Sequence, residues 1–215
     1  VVGCLTEGMS IRATVRVTGV AKNTIVKLLA DLGNAVADYM DGAFRNLDLE
    51  RIECDEIWSF CYAKQKNVPE DFKGTPGYGD VWTWVALDAT TKLVPTWLVG
   101  ERTTEDCYTF LADLRDRLLP GQRIQLSTDG FGVYPRVVDA IWRGNIDYGV
   151  IVKEYGDPSK EEQRRYSPAT CKVIDKRVIS GDPVERLIST SYVERQNLSM
   201  RMGMRRFTRL TNGFS

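Results

Sequence analysis

The order of the apolar segments is the feature that most constrains how this chain folds. Residues 51–62 (RIECDEIWSFCY) are rich in β-branched and aromatic side chains and predict a strand. Two more strands are predicted at 81–87 and 92–99, around a turn at 88–91. Helices and strands then alternate: a helix from 103 to about 118, a strand at 123–128, a helix from about 134 to 142, a strand at 147–153 and a helix from about 192 to 210. This alternation predicts an α/β protein.

Three strands followed by alternating helices and strands is the element order of a ribonuclease H-like fold. We therefore predict a ribonuclease H-like catalytic domain over residues 47–215, with a mixed five-stranded sheet and flanking helices. In that fold the fourth strand lies parallel to and beside the first. The middle of the first strand and the end of the fourth then face each other. Residues 154–190 are polar and irregular, and no strand is predicted there.

Residues 1–46 predict a small all-α module that precedes the sheet. One short helix covers residues 10–17, with Ser10 able to cap it, and residues 18–20 form a turn. A second helix runs from about residue 21 to 32, with Gly33 as its stop, and residues 34–50 continue helically before fading. The two helices and the tight turn predict a helix-turn-helix, although an ordinary helical hairpin has the same spacing.

The amino end of the second helix carries the candidate DNA-reading side chains. In a helix-turn-helix this end enters the major groove and meets base edges. The candidate DNA-binding residues here are Lys22, Asn23, Thr24 and Lys27. The match to the helix-turn-helix pattern is imperfect, because Val15, four residues before Gly19, occupies a position where a smaller residue is more usual.

The chain contains no histidine, which restricts the chemistry it can perform. Ser-His-Asp and Cys-His nucleophile systems, histidine-ligated zinc and histidine general bases are all excluded. Lysine and arginine together number 29, as do aspartate and glutamate, so the formal net charge is zero. DNA binding must therefore be argued from local basic patches and not from net charge.

Cysteine usage and hydropathy indicate the compartment. The five cysteines are odd in number and widely spaced, which favours neither a disulfide framework nor a zinc ribbon. No apolar run of transmembrane length and no signal peptide is visible, so we expect a cytoplasmic, nucleoid-associated protein with no membrane partner. The chain begins at Val1 rather than methionine and stops at Ser215, so we expect both ends to be trimmed.

Three carboxylates form the candidate catalytic and metal-binding site. Asp55 lies in an otherwise apolar strand, where a charge is costly unless it is paired or bound to a metal. Asp129 ends the fourth strand before a glycine turn, and Glu194 lies near the start of the last helix. For Asp129 an ordinary turn residue, and for Glu194 a solvated helix residue, remain alternatives. Glu56 is not counted as a ligand, because alternation along a regular strand points it to the opposite face.

Carboxylates without histidine suit Mg²⁺ or Mn²⁺, which prefer oxygen ligands. Two such ions about 4 Å apart can activate an attacking oxygen and stabilise a leaving oxygen in phosphoryl transfer. We therefore predict that Asp55, Asp129 and Glu194 hold Mg²⁺ or Mn²⁺.

The last helix also predicts a basic surface next to this site. Its arginines can contact DNA phosphates, and no acidic residue interrupts them. A solvated basic helix is the alternative. The candidates are Arg195, Arg201, Arg205, Arg206 and Arg209.

Several phrases of the sequence resemble DDE transposases of bacterial insertion sequences, of the insertion sequence one type. They cover almost the whole chain in the expected order: residues 7–29, 54–60 (CDEIWSF), 92–103 (KLVPTWLVGERT), 127–134 (STDGFGVY), 166–171 and 188–212. The resemblance implies a catalytic triad at Asp55, Asp129 and Glu194. It also implies recognition of element ends by the helix-turn-helix. Family members commonly carry a cysteine-rich zinc-binding segment before that module, which Cys4 alone cannot replace.

The resemblance further implies an activity and partners. Such enzymes cut double-stranded DNA at the terminal inverted repeats of their element. They then join the freed 3′ hydroxyl to a target strand, with Mg²⁺ and without a covalent protein–DNA intermediate. Pairing two element ends would need at least a homodimer. Two other functions remain open: a non-catalytic DNA-binding repressor or inactive transposase remnant, and a structure-specific nuclease on the same fold.

Overall fold

A computed structural model describes residues 1–155 and 171–207 of the chain. In chain order its helices and strands are α1 Val2–Thr6, α2 Ile11–Thr18, α3 Lys22–Ala43, β1 Arg51–Cys61, β2 Gly79–Asp88, β3 Trp97–Gly100, α4 Thr104–Arg117, β4 Gln125–Thr128, α5 Tyr134–Trp142, β5 Asp147–Tyr155, β6 Cys171–Ser180 and α6 Ser191–Gly203. Single 3₁₀ turns cover Gln65–Asn67, Glu70–Phe72, Glu185–Leu187 and Arg205–Phe207.

The strands form one mixed sheet in the order β3-β2-β1-β4-β5-β6. β1 pairs antiparallel with β2 and parallel with β4, and β5 pairs parallel with β4 and antiparallel with β6. The α/β prediction and the parallel placement of the first and fourth strands are therefore confirmed. The predicted count of five strands was wrong, because β6 lies within the segment that the sequence marks as irregular. Its residues 176–179 are exposed at a sheet edge, so no buried face imposes an apolar alternation on them.

Helices cover both faces of the sheet. On one face α4 and α5 pack over a core that includes Ile52, Trp84 and Leu126. On the other face α6 covers a smaller core of Ile57, Val85, Leu87 and Val193. The predicted cap of α4 is confirmed, since the Thr103 hydroxyl accepts a hydrogen bond from the Asp106 amide at 3.2 Å. The faces of β1 are thus buried under different helices, and its polar side chains reach different neighbours.

The amino-terminal helices begin where the sequence predicts. The Ser10 hydroxyl accepts a hydrogen bond from the Ala13 amide at 3.1 Å, and Gly19 ends α2 with a φ of 71°. The predicted stop at Gly33 was wrong, since α3 continues to Ala43. A glycine inside a helix costs only about 1 kcal/mol, and the apolar periodicity carries on beyond it. The helix-turn-helix function of this segment and the boundary at residue 46 stay predictions.

The last helix is shorter than predicted. α6 ends at Gly203 and a 3₁₀ turn follows at Arg205–Phe207, whereas the sequence suggests a continuous helix to about residue 210. Gly203 lies against the amino-terminal segment: a Cβ there would stand 3.1 Å from the Thr6 carbonyl oxygen. Arg209 lies outside the described residues. Within residues 1–155 and 171–207, no helix has the length and apolar character needed to cross a membrane.

Candidate functional site

The candidate site lies where β4 ends and β1 continues. The last paired residues of these two strands are Cys54 and Thr128, so Asp55 and Glu56 extend beyond the end of β4. The chain turns away at Asp129, whose side chain accepts a hydrogen bond from the Phe131 amide at 2.9 Å. A cleft of about 590 Å³ opens there, lined among others by Asp55 and Asp129.

Three carboxylates converge at this position. Asp55, Glu56 and Asp129 each offer an oxygen, and the three oxygens lie within 4.8 Å of one another. We call these residues the acidic cluster. Its donors are all carboxylate oxygens, which are the ligands of hard divalent cations. The acidic cluster can therefore hold a metal ion.

The acidic cluster includes Glu56, which the sequence analysis did not count as a ligand. Alternation along β1 is kept: Glu56 contacts the α5 side, where it accepts a hydrogen bond from the Tyr134 hydroxyl, whereas Asp55 contacts α6. The two carboxylates nevertheless approach each other, because no strand flanks β1 on this side once β4 has ended. Both side chains can then lean into the same gap.

Glu194 lines the same cleft but lies outside the acidic cluster. Its Oε1 is held by the Lys153 ammonium, from β5, and by the Thr190 hydroxyl, one helical turn earlier. Its side chain is 43% exposed. The structure thus brings two of the three predicted ligands, Asp55 and Asp129, together. The third, Glu194, lies nearby and is paired with Lys153, which was not among the predicted site residues.

Arg102 is a second residue that the sequence argument missed. Its guanidinium lies 3.0 Å from a carboxylate oxygen of Glu56 and 3.5 Å from one of Asp129. The same group stacks on the Phe131 ring, with 3.9 Å between the guanidinium carbon and the ring centroid. The only sequence signal was its presence in the phrase KLVPTWLVGERT, since no local spacing links it to Asp129. Arg102 partly neutralises the acidic cluster from the α4 side.

The acidic cluster lies in a site that disfavours negative charge. Burial and repulsion from Asp129 raise the pKa of Asp55 to about 6, although the hydrogen bonds that its carboxylate accepts lower this pKa. Burial and repulsion from Asp129 raise the pKa of Glu56 to about 7, against the opposing effects of Tyr134 and Arg102. Carboxylates that are desolvated and repel one another gain free energy when a cation binds between them. This electrostatic situation fits a divalent metal ion.

Buried polar contacts fix α6 beside the cluster. Glu53, 1% exposed, accepts hydrogen bonds from the backbone amides of Tyr192 and Val193 at 2.8 and 3.1 Å. This carboxylate satisfies free amides at the helix start and complements its dipole. Burial raises the pKa of Glu53, while these two hydrogen bonds lower it.

Asn197, on the next turn of α6, contacts the acidic cluster directly. Its side-chain amide donates to an Asp55 carboxylate oxygen at 2.8 Å. Asn197 is 5% exposed, and within the described residues its Oδ1 has no hydrogen-bond partner. A buried acceptor without a partner thus adjoins the acidic cluster, which is consistent with a group that binds there.

The predicted DNA-binding residues fall into two separate places. Lys22, Asn23, Thr24 and Lys27 are exposed at the amino end of α3, and Lys27 pairs with Asp31. The predicted arginines do not share one helix. Arg195 and Arg201 lie on α6, whereas Arg205 and Arg206 lie in the following 3₁₀ turn, because α6 ends at Gly203.

The arginines also differ in their contacts. Arg195 is exposed, and Arg206 donates to the Phe60 carbonyl oxygen at 2.9 Å. Arg201 and Arg205 line a second cleft, which reaches Asp55 and Glu194 from the α6 side. Of the predicted arginines, these two therefore share a cleft with residues of the acidic cluster.

No protein-family model matches this chain, and a search of curated proteins finds no match.

Proposed function

We propose that the protein is a DDE-type DNA transposase with a ribonuclease H-like catalytic domain. It would cut at the terminal inverted repeats of an insertion sequence and join the 3′ hydroxyl ends to target DNA. The observation that carries the proposal is the convergence of the Asp55, Glu56 and Asp129 oxygens at the end of the parallel pair β1–β4. The strand order β3-β2-β1-β4-β5 is compatible with that fold, and β6 extends it at one edge.

The cofactor proposed is Mg²⁺ or Mn²⁺, because the donor set consists of carboxylates and the chain has no histidine. When bound, such ions supply Lewis-acid activation of an attacking oxygen and stabilisation of a leaving oxygen. Asp55 and Asp129 would hold the metal, with Glu56 as an additional donor in the cluster. Glu194 would complete the set from α6 once it leaves Lys153, as the transposase resemblance implies.

The basic groups around the cleft would hold the DNA. Arg102 and Lys153 border the acidic cluster on one side, and Arg201 and Arg205 border it on the other. Cations on both sides of a carboxylate site suit a polyanion whose phosphate must approach those carboxylates. The exposed amino end of α3 would bind the element ends as a helix-turn-helix.

The proposal is tested with a supercoiled plasmid that carries the DNA flanking the gene. Wild type, Asp129→Asn and the matched control Asp139→Asn are incubated with Mg²⁺ or Mn²⁺ and the cuts are mapped. Asp139 is a suitable control because it is exposed on α5, away from the cleft. We expect metal-dependent cuts at an inverted repeat with wild type and Asp139→Asn, and none with Asp129→Asn.

Three other results would contradict the proposal. Cutting that persists in Asp129→Asn would refute the role of the acidic cluster. Cuts scattered without regard to the repeat would indicate a structure-specific nuclease. Binding of the repeat by the folded wild type without cutting would indicate a repressor or an inactive remnant.

A further inference from the structure

The end of β1 and the start of β2 extend beyond the rest of the sheet as a two-stranded ribbon. β4 pairs with β1 only as far as Cys54, and β3 pairs with β2 only over residues 82–85. The two strands continue to pair with each other out to Cys61 and Gly79. The ribbon therefore begins at the acidic cluster, and residues 57–61 extend it by about 17 Å.

The two faces of this ribbon are covered differently. On the α6 side, Ile57 is buried in the smaller core. On the opposite face, Trp58, Phe60 and Trp82 are half-buried, and within the described part of the chain none of the three belongs to either core. Trp58 and Trp82 are opposite each other in the ladder, and the ring centroids of Trp58 and Phe60 are 5.6 Å apart. We call these three residues the aromatic strip.

Two cations lie over rings of the aromatic strip. The Lys64 ammonium is 5.4 Å from the centroid of the Trp58 ring, and the Arg102 guanidinium carbon is 4.9 Å from that of the Trp82 ring. Lys64 is exposed and takes part in none of the ion pairs of the described residues. A nucleotide offers a base that stacks on such rings and a phosphate that attracts such cations.

The nearby carboxylate of Asp80 does not oppose this binding strongly. Asp80 lies opposite Phe60 in the ladder, and its Oδ1 accepts a hydrogen bond from the Gln65 amide at 3.0 Å. This carboxylate is thereby used to hold the loop that follows β1.

The aromatic strip is continuous with the cleft of the acidic cluster. Arg102, which stacks on Trp82, also contacts Glu56 and Asp129 and lies over Phe131. Arg102 and Phe131 both line that cleft. A strand with one phosphate at the acidic cluster can therefore continue directly onto the aromatic strip.

The ribbon ends in further accessible rings. Tyr62 and Phe72 are 56% and 40% exposed, and the ring of Tyr78 lies 5.0 Å from the first and 4.7 Å from the second between centroids. Phe72 and Tyr78 are stacked. Aromatic surface thus continues past the aromatic strip to the tip of the ribbon.

This chemistry fits unpaired bases better than a duplex or an apolar partner. In a duplex each base face is covered by the next base pair, so a side chain can stack only where bases are unpaired. An apolar partner would have to desolvate the charged groups of Lys64 and Arg102 without pairing them, which is costly. A single strand supplies both the ring faces and the negative charges.

We propose that the aromatic strip binds unpaired nucleotides of the DNA strand whose phosphate lies at the acidic cluster. The inference rests on the proposed function for the identity of that strand as DNA. Stacking on Trp58 and Phe60 would hold the strand beside the cut once its bases are unpaired. Binding of unpaired nucleotides is nevertheless measurable without cutting, so the two proposals can fail separately.

Fluorescence anisotropy with a short labelled single strand, and with its duplex, tests the proposal in the presence of a chelator. Trp58→Leu is expected to weaken single-strand binding at least about fivefold, because the stacking of one base is lost, and to leave duplex binding unchanged. Wild-type tryptophan emission is expected to be quenched by the single strand, and less so in Trp58→Leu. Circular dichroism checks folding, and Phe60→Leu replaces Trp58→Leu should that variant not fold.

Trp97→Leu is the matched control, since Trp97 is a 43% exposed tryptophan on β3 outside the aromatic strip. It is expected to bind the single strand like wild type. Lys64→Gln tests the cation at an exposed position where folding is secure. It is expected to reduce the slope of log affinity against log salt concentration by about 0.7, as the loss of one phosphate contact requires.

Photo-cross-linking locates the bound strand. A single strand that contains 5-iododeoxyuridine is irradiated with wild type, and the cross-linked tryptic peptide is identified by mass spectrometry. Cleavage after Arg51 and Lys64 places Trp58 and Phe60 in one peptide, residues 52–64. We expect the cross-link in that peptide, and its confinement to other peptides would overturn the proposal.

Several results of the binding assay would also overturn it. They are the absence of single-strand binding by folded wild type, wild-type binding by folded Trp58→Leu or Phe60→Leu, and an equal loss in Trp97→Leu. An equal loss of duplex binding would show phosphate contacts without stacking and would overturn it as well. Cutting at the repeat without single-strand binding would refute the aromatic strip alone. Single-strand binding that depends on Trp58, in a protein that cuts nothing, would support the aromatic strip and refute the transposase.

Discussion

The metal-free protein is expected to lose stability as the pH rises from about 4.5 to 8, because of Asp55 and Glu56. Their pKa values rise from 3.8 to about 6 and from 4.5 to about 7. The folded protein holds these two protons more tightly than the unfolded chain does. The stabilisation that results is fully present at a pH below the pKa values of the unfolded chain. It is lost as the pH rises through the pKa values of the folded protein. Each carboxyl group accounts for about 3 kcal/mol at 1.36 kcal/mol per pKa unit.

Glu56→Gln isolates half of this effect. The neutral amide keeps the shape of the side chain, so the penalty of about 3 kcal/mol at pH 8 disappears. Attraction to Arg102 and the hydrogen bond from Tyr134 already lower the pKa of Glu56, so this penalty is a net value that includes the loss of both contacts. The variant is therefore expected to be about 3 kcal/mol more stable than wild type at pH 8, and not more stable at pH 4.5.

Urea unfolding in the presence of a chelator measures the difference at both pH values. Glu50→Gln is the matched control, because Glu50 is exposed just before the same strand, and it should not differ from wild type. A Glu56→Gln protein that is less stable than wild type at pH 8 would refute the reasoning. Wild-type stability that rises from pH 4.5 to pH 8 would do the same.

Two further predictions concern α6 and its neighbours. Glu53→Ala leaves two amides of α6 unpaired and is expected to lower the free energy of unfolding in urea by about 3 kcal/mol. The control Glu50→Ala, at an exposed position, is expected to change it by almost nothing. Equal losses in the two variants would contradict the role of Glu53 in fixing the start of α6. Gly8→Ala is expected to cost about 3 kcal/mol, because its φ is 78° and the added Cβ would lie 2.7 Å from a backbone oxygen of α6. Gly19→Ala, with a φ of 71° and open space around it, is expected to cost only about 1 kcal/mol, and thermal unfolding should separate the two variants.

The predictable part of the fold consists of the segments whose burial imposes a regular pattern. The stripe of α4, with Cys107, Phe110 and Leu114, is buried as expected, and the alternation of helices and strands follows from such stripes. β6 escaped prediction because an exposed edge strand carries no apolar alternation. The helical continuation after residue 33 was predicted, but the stop at Gly33 was wrong, because a single glycine inside a helix costs only about 1 kcal/mol and the apolar periodicity continues through it.

The predictable part of the site is the pair of aspartates. Asp55 stands out because a carboxylate is costly in an apolar strand, and Asp129 because it ends the strand that pairs in parallel with it. Glu56 was missed because the alternation rule assumes a continuous sheet. The contacts of Glu53 with α6 and of Lys153 with Glu194 join residues far apart in sequence, which no local spacing reveals.

Binding of Mn²⁺ tests most directly that the acidic cluster is a metal site. The free Mn²⁺ signal in electron paramagnetic resonance is titrated with wild type, Asp129→Asn and Asp139→Asn at pH 8. Wild type and Asp139→Asn are expected to bind the ion equally. Asp129→Asn is expected to bind it at least about tenfold more weakly, because a donor of the cluster is neutralised. Equal binding by all three proteins, or no binding by the folded wild type, would contradict the account.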